Sequence, residues 1–287
     1  MREINVVTIR DAIRDLCLEL CVVARSDVRR AFAHAAKQER SPIGRRVLLQ
    51  LLENMDVAVQ DRLPMCQDTG TVVVFAEVGQ DVHIVGGGFE EAIHAGVHDA
   101  YTSGLLRPSM VQRPIGDRRN TGDNTPAVIH TRLVPGDRIR LEVFAKGGGA
   151  ENMSRLAMLT PADGWDGVKR FVVDTVQRAG PNACPPVIVG VGIGGTFDAV
   201  GKLAKHALLR EIGSQNPDPE LAVLERELLD AINRLGIGPQ GFGGTVTALA
   251  VHIETYPCHI ASLPVAVNLQ CGPAARHGVV MLPRDDS

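Results

Sequence analysis

Aromatic side chains are scarce in this chain. One Trp, two Tyr and seven Phe make up 3% of its 287 residues, too few to build the stacking platforms on which single-stranded nucleic acids lie. An excess of positive charge is missing as well. Thirty Lys and Arg stand against 33 Asp and Glu, a net charge of −3, and nothing in that balance suits a phosphate backbone. No run of about 18 apolar residues occurs, so the sequence offers no membrane-spanning helix. The first residues, MREINVVTIRDAIRDL, are charged every few positions and lack the apolar core of a secretory signal. The six cysteines, at 17, 21, 66, 184, 258 and 271, include no C-x-x-C pair. A zinc ribbon and a ferredoxin-type cluster are therefore disfavoured. Without a signal, six cysteines in a chain of this length do not form a disulfide scaffold either. They point to a reducing cytoplasm and to thiols that are free or metal-bound.

Glycine is abundant: thirty residues gathered in clusters, which marks special backbone positions rather than a flexible linker. Apolar residues at 9, 13, 16 and 20 recur at helical spacing and predict one helix from 8 to about 38. Further helices are expected at 43–60, after GGGF at 86–89, after LTPADG near 160, after the glycines at 190–195, and at 217–234. Strands are expected after PMCQDTG, at about 127–133 and 138–145 with PGD as a hairpin turn between them, and at VIVGVGIGG. Residues 108–126 read as a long polar loop and KGGGAEN as a glycine loop. No repeat, low-complexity tract or linker interrupts the chain, which reads as one domain over 1–287. Helices and strands mix without a regular βαβ rhythm. The expected fold class is α+β, or irregular α/β, with mixed sheets flanked by helices.

Gly190-Val191-Gly192-Ile193-Gly194-Gly195 matches G-x-G-x-x-G between a strand and a helix. A nucleotide-dependent oxidoreductase is thus one reading. Against it, the next segment reads as helix rather than as a second parallel strand, and no acid is seen that would hold a ribose. The plainer reading is tight packing of strand on helix. A nucleotide P-loop fails, because Gly201-Lys202 is followed by Leu203. Cys17 and Cys21, four apart in an apolar helix, read as core, and core is also the default for Cys258. Cys66, Cys184 and Cys271 each lie in a turn sequence. Three thiolates converging from three loops would leave a fourth coordination position open.

The stretches PMCQDTGT, RNTGDNTPAVIH, KGGGAENMSRLAML, NACPPVIVGVGIGGTFD, GIGPQGFGGTVTALAVHIETYPCHIASLPVAVNLQC and AARH resemble the α subunits of iron–sulfur (class I) fumarate hydratases and L(+)-tartrate dehydratases. The resemblance spans nearly the whole chain. It implies a [4Fe–4S] cluster on Cys66, Cys184 and Cys271, with one iron left open for substrate. It further implies that Gln67, Arg107 and the loop Lys146, Gly147, Gly148 and Gly149 bind a small dicarboxylate, and that Asp68 and His259 are catalytic. CGPAARH carries one residue more than the family's usual spacing after the last cysteine.

The implied reaction is reversible hydration of fumarate to (S)-malate, with tartrate dehydration to oxaloacetate as the alternative. An open iron acts as Lewis acid toward a poor leaving group. Asp68 is suited to move a proton at the reacting oxygen, beside a plain reading as the turn-forming residue of QDTG. Arg118 and Arg119 are candidates for carboxylate binding and otherwise a solvated loop pair. No base for the carbon-bound proton is evident. The resemblance places it on a β subunit, in an (αβ)2 assembly, without which this chain is expected to be incompletely active. A third reading is a non-catalytic chain that binds a metal or carboxylate and assembles with a partner.

Overall fold

The computed structural model describes residues 1–283. In chain order the elements are β1 (Arg2–Asn5), α1 (Val6–Val22), α2 (Ser26–Gln38), α3 (Pro42–Asp61), β2 (Thr71–Gly79), β3 (Val82–Val85), α4 (Phe89–Ser103), β4 (Val128–Val134), β5 (Ile139–Lys146), α5 (Gly148–Asn152), β6 (Arg155–Leu159), α6 (Gly164–Ala179), β7 (Val187–Gly194), α7 (Phe197–Ala207), α8 (Pro219–Asn233), β8 (Ala248–Tyr256), β9 (Leu263–Cys271) and β10 (Arg276–Leu282). The mixture of helices with mixed sheets is the α+β class that the sequence implies. None of the helices is long and apolar enough to cross a membrane among the described residues.

Two compact units form, and neither is a continuous stretch of chain. The first takes Met1–Ala24, Val57–Gly147 and the chain from Arg276 on; the second takes Arg25–Asp56 and Gly148–Ala275. With the chain alternating between them, no composition shift or linker marks a boundary.

In the first unit a four-stranded sheet runs β10-β5-β2-β4, and β1 pairs with β3 in a separate parallel ribbon. Strand β2 is buried along nearly its whole length, as its run of valines requires. Helices α1 and α4 pack on each other, and Ile9, Ile13, Ile93 and Val97 join Val72, Val74, Leu141 and Val143 in one core. The PGD turn does not make a hairpin. Strand β2 lies between β4, its parallel neighbour, and β5, its antiparallel one. The turn instead wraps the end of β2: Gly79 and Asp81 donate their amides to the carbonyls of Arg138 and Gly136. The expected helix from 8 to 38 is likewise two helices. Val23 and Arg25 are extended, and Asp27, buried at the start of α2, accepts from Arg25 and from the Ile212 amide. That buried ion pair and the Ile212 amide bond outweigh continued helix.

In the second unit the sheet runs β6-β9-β7-β8. Alternate residues of β7 serve opposite faces. Val187, Val189 and Val191 face the core that holds Val172 and Val176 of α6 and Leu228 and Ile232 of α8. Gly190 and Gly192 face α7, where added β-carbons would stand 2.1 Å from the Ala204 carbonyl and 2.4 Å from that of Val200. The first two glycines of the G-x-G-x-x-G stretch thus lie inside a strand and let a helix backbone press against it. The sequence expectation is corrected in one respect: β8 does return parallel to β7. Antiparallel β9 on the other side makes the sheet unlike a doubly wound nucleotide fold.

His252 of β8 is buried in this unit, with Nδ1 donating to the Ala207 carbonyl at 3.2 Å. Burial, with Arg210 nearby, lowers its pKa to about 4. The unfolded chain binds this proton near pH 6.5 and the folded chain only near 4. Stability is therefore complete above about 6.5 and falls as the pH drops toward 4, by on the order of 3 kcal/mol. Urea denaturation between pH 7 and 4 should show this loss and His252→Gln should flatten it; an equal loss in the variant contradicts the assignment.

Candidate functional site

The first unit presents Cys66, Gln67 and Asp68 on an irregular loop between α3 and β2. Such a loop has no ladder to satisfy its backbone, so side chains must do it. The buried hydroxyl of Tyr101, on α4, lies 2.9 Å from the Thr69 carbonyl and 3.1 Å from that of Gly70. Asn124, fully buried, donates to the Gly70 carbonyl at 2.9 Å and accepts the Ser109 amide at 2.7 Å. The Met65 amide donates to the Cys21 carbonyl, and the Thr69 hydroxyl to the Arg107 carbonyl at 2.8 Å. Gly70 has φ +79°, with the Lys146 backbone 2.8 Å from where a β-carbon would be; only glycine allows both.

This arrangement brings several expected residues together. Cys66 and Asp68 are half-buried, and Gln67 is exposed. The Arg107 guanidinium donates to Gln67 Oε1 at 2.6 Å, so the two form one exposed polar unit. Asp68 Oδ1 accepts the Gly70 amide at 3.0 Å. That is the turn bond of the plainer reading, and it also fixes the carboxylate so that Oδ2 stands 3.3 Å from the β-carbon position of Gly147. Lys146 ends β5 and is 2% exposed. The polar loop 108–126 is ordered by its own side chains. Asp123 accepts from Thr125 and contacts His98. Burial alone would raise the Asp123 carboxyl, and these bonds hold it down at about 2. Arg118 and Arg119 are exposed on that loop, a solvated pair.

In the second unit Cys184 and Cys271 lie at one end of the sheet. Cys271 pairs with Val187, three residues beyond Cys184. Cys184 sits in the left-handed region, φ 53° and ψ 62°, after a tight turn, and its amide donates to the Pro181 carbonyl. The Pro185 carbonyl accepts from the amide and the side chain of Gln240, and the Pro186 carbonyl from the Gly272 amide. The extra residue after Cys271 is absorbed in one 3-10 turn, Gly272–Ala274, held by Gln270 Nε2 on the Ala274 carbonyl at 2.8 Å. Gly148 and Gly149 are exposed and open the five-residue α5. Glu151 of that helix takes Lys205 and Asn268 as partners.

His259 is placed elsewhere. It lies on an exposed loop before β9, and Cys271 ends β9, nine residues long. The extended strand separates its ends by roughly 26 Å. Here His259 Nδ1 accepts the Ala261 amide at 3.1 Å, which leaves the ring proton on Nε2. It borders a pocket of about 390 Å³ with Trp165, Ile193 and Leu263. Cys258 is exposed on the same loop rather than in the core. A cavity of about 1000 Å³ in the second unit is lined by Asp27, His34, Arg40, Asn233, Arg234 and neighbours, and none of the expected site residues borders it.

Sequence reasoning missed Tyr101, Asn124 and Arg276. Asn124 and Arg276 stand inside quoted stretches (RNTGDNTPAVIH and AARH), but a sequence does not show which polar residue is buried. Arg276 is 2% exposed; its three guanidinium nitrogens meet no oxygen or nitrogen acceptor among the described residues, and the Cys21 thiol lies beside them.

A family profile described as Fumarate hydratase (Fumerase) matches residues 10–281. The chain is 43% identical over 272 residues to the putative L(+)-tartrate dehydratase subunit alpha of Methanocaldococcus jannaschii, covering 92% of this chain and 94% of that one. It is 37% identical over 251 residues to the L(+)-tartrate dehydratase subunit alpha of Escherichia coli O157:H7, covering 86% and 82%. The chain therefore belongs to the class I fumarate hydratase and L(+)-tartrate dehydratase α-subunit family, whose members are iron–sulfur hydro-lyases.

If Tyr101 holds the Cys66 loop, Tyr101→Phe should cost about 1 kcal/mol of stability and speed alkylation of Cys66, read on its peptide by mass spectrometry. An unchanged melting temperature with an unchanged alkylation rate contradicts that role.

Proposed function

We propose that this chain is the α subunit of an L(+)-tartrate dehydratase, working in the cytoplasm with a β subunit and a [4Fe–4S] cluster on Cys66, Cys184 and Cys271. One observation carries the choice of substrate: both relatives described above bear that name and align over more than four-fifths of each chain. The first expectation, fumarate, gives way to the alternative on this ground. Fumarate remains the second reading, favoured by the family's own description.

The donors suit the cluster. The three thiols are half-buried, none is in a disulfide, and Cys66 and Cys184 sit on loops while Cys271 ends β9, all tied down by side chains and short turns. Among the described residues no three His, Cys, Asp or Glu side chains surround a point as ligands of a single ion. A cubane spreads its thiolates over different irons and asks for a wider spacing than one ion does. The cluster, when bound, supplies an iron without a protein ligand, a Lewis acid toward the leaving hydroxyl.

The chain's own residues supply the rest. The exposed Gln67–Arg107 pair binds a substrate carboxylate, the guanidinium being pre-oriented by its bond to Gln67. Lys146 and the Gly147–Gly149 backbone hold the other end of the dicarboxylate. Asp68, anchored through Oδ1, moves the proton at the departing oxygen with Oδ2. Because the length of β9 separates His259 from Cys271, His259 serves a centre only when another copy of the chain brings it, as an (αβ)2 assembly allows. The base for the carbon-bound proton belongs to the β subunit.

Co-expression with the β subunit, anaerobic purification and initial rates on both substrates test this. The expected result is kcat/KM at least roughly tenfold higher for L(+)-tartrate than for fumarate. Asp68→Asn should lower kcat by about a hundredfold or more with the cluster absorption retained. A preference for fumarate selects the second reading. A cluster-loaded complex without lyase activity on either overturns both.

A further inference from the structure

Arg276 opens β10, and its backbone pairs with Ala145. Its guanidinium is buried, and its nitrogens meet no oxygen or nitrogen acceptor among the described residues; the Cys21 thiol is the polar group beside it. A buried cation without a counter-charge is strongly unfavourable, so such a group points to an anion that completes it. No protein anion accepts a hydrogen bond from it among the described residues. The Cys21 thiol lies beside it, a weak acceptor whose pKa burial pushes up. The phenol of Tyr101 is pushed up in the same way. Asp68 Oδ2 and Arg276 Nη2 both lie within 4.0 Å of the β-carbon position of Gly147, so Asp68 is a partial counter-charge, but the guanidinium donates no hydrogen bond to it. Cys66 is adjacent to this pocket. Its neighbour Met65 donates its amide to the Cys21 carbonyl, and the Cys21 thiol lies near both Cys66 and Arg276.

Two anions suit a guanidinium here, a substrate carboxylate and the sulfurs of a thiolate-bound cluster. Burial separates them. Substrate enters and leaves through water on every turnover, and the exposed Gln67–Arg107 pair has the accessibility that requires. A group sealed from solvent faces something resident. An iron–sulfur centre carries net negative charge on its sulfurs, accepts N–H bonds there, and has a potential set by nearby charge and those bonds. We propose that Arg276 is a positioning residue: the buried counter-charge of the iron–sulfur centre at Cys66, donating to its sulfur and raising its reduction potential. This rests on the cluster reading given under Proposed function.

The test uses the full chain, reconstituted anaerobically, as wild type, Arg276→Gln and Arg276→Lys. The midpoint potential is read by titration followed by electron paramagnetic resonance, and iron loss by transfer to a chelator. Arg276→Gln should move the midpoint to more negative values and lose iron severalfold faster, with Arg276→Lys between it and wild type. An unchanged midpoint and iron loss in Arg276→Gln, with a raised substrate KM in the αβ complex, overturns the proposal and assigns the guanidinium to the carboxylate. If Arg276→Gln does not fold, a wild-type midpoint in Arg276→Lys overturns it, and a negative shift there supports it. A wild-type chain that takes up no cluster overturns the cluster reading itself, which is a different failure from unchanged variants.

Discussion

A loop that must hold a sulfur still has no helical or strand ladder to satisfy its own peptide groups, and each one left buried without a partner is costly. In this chain side chains far away in sequence meet that demand. Tyr101 and Asn124 bind the carbonyls that follow Cys66, and Gln240 does the same beside Cys184; Gln270, next to Cys271, closes its own turn on the Ala274 carbonyl. Glu39 is the anionic version. Burial would raise its carboxyl, but the amides of Ser41, Thr245 and Val246 hold it below the usual range and fix a glycine-rich segment. The sheets carry the hydrophobic energy, and these buried polar bonds convert it into loop geometry.

Charge is sorted by exposure in the first unit. Arg107 is exposed and already pre-oriented by Gln67, as carboxylate capture from water requires. Arg276 and Lys146, each 2% exposed, form the buried positive side of the same region. The half-buried Asp68 is anchored beside them. Under the proposed function, one kind of cation meets a substrate that exchanges and the other a charge that stays.

Much of the fold was legible because its signals are local. The spacing of Ile9, Ile13, Leu16 and Leu20, the valine run of β2 and Pro219 behind the Asp218 cap each specify an element on its own. What was not legible depends on contacts distant in sequence. Only the insertion of β2 between β4 and β5 undoes the hairpin at PGD. Only the buried Asp27 and its Ile212 partner split α1 from α2. The cysteine loops were readable from long matched phrases. That Arg276 is buried while Arg118 and Arg119 are solvated follows from topology, since all three are plain arginines in turn-rich sequence. The placement of His259 at the far end of β9 was hidden for the same reason, because twelve residues read alike whether they fold back or extend.

The central claim is that three cysteines hold an iron–sulfur cluster, and iron and acid-labile sulfide counting on the anaerobically reconstituted chain, with an ultraviolet–visible spectrum, meets it most directly. The account predicts about four irons per chain and broad thiolate-to-iron absorption that disappears in Cys66→Ser. A colourless, iron-free chain, or a Cys66→Ser variant with the full spectrum, would contradict it.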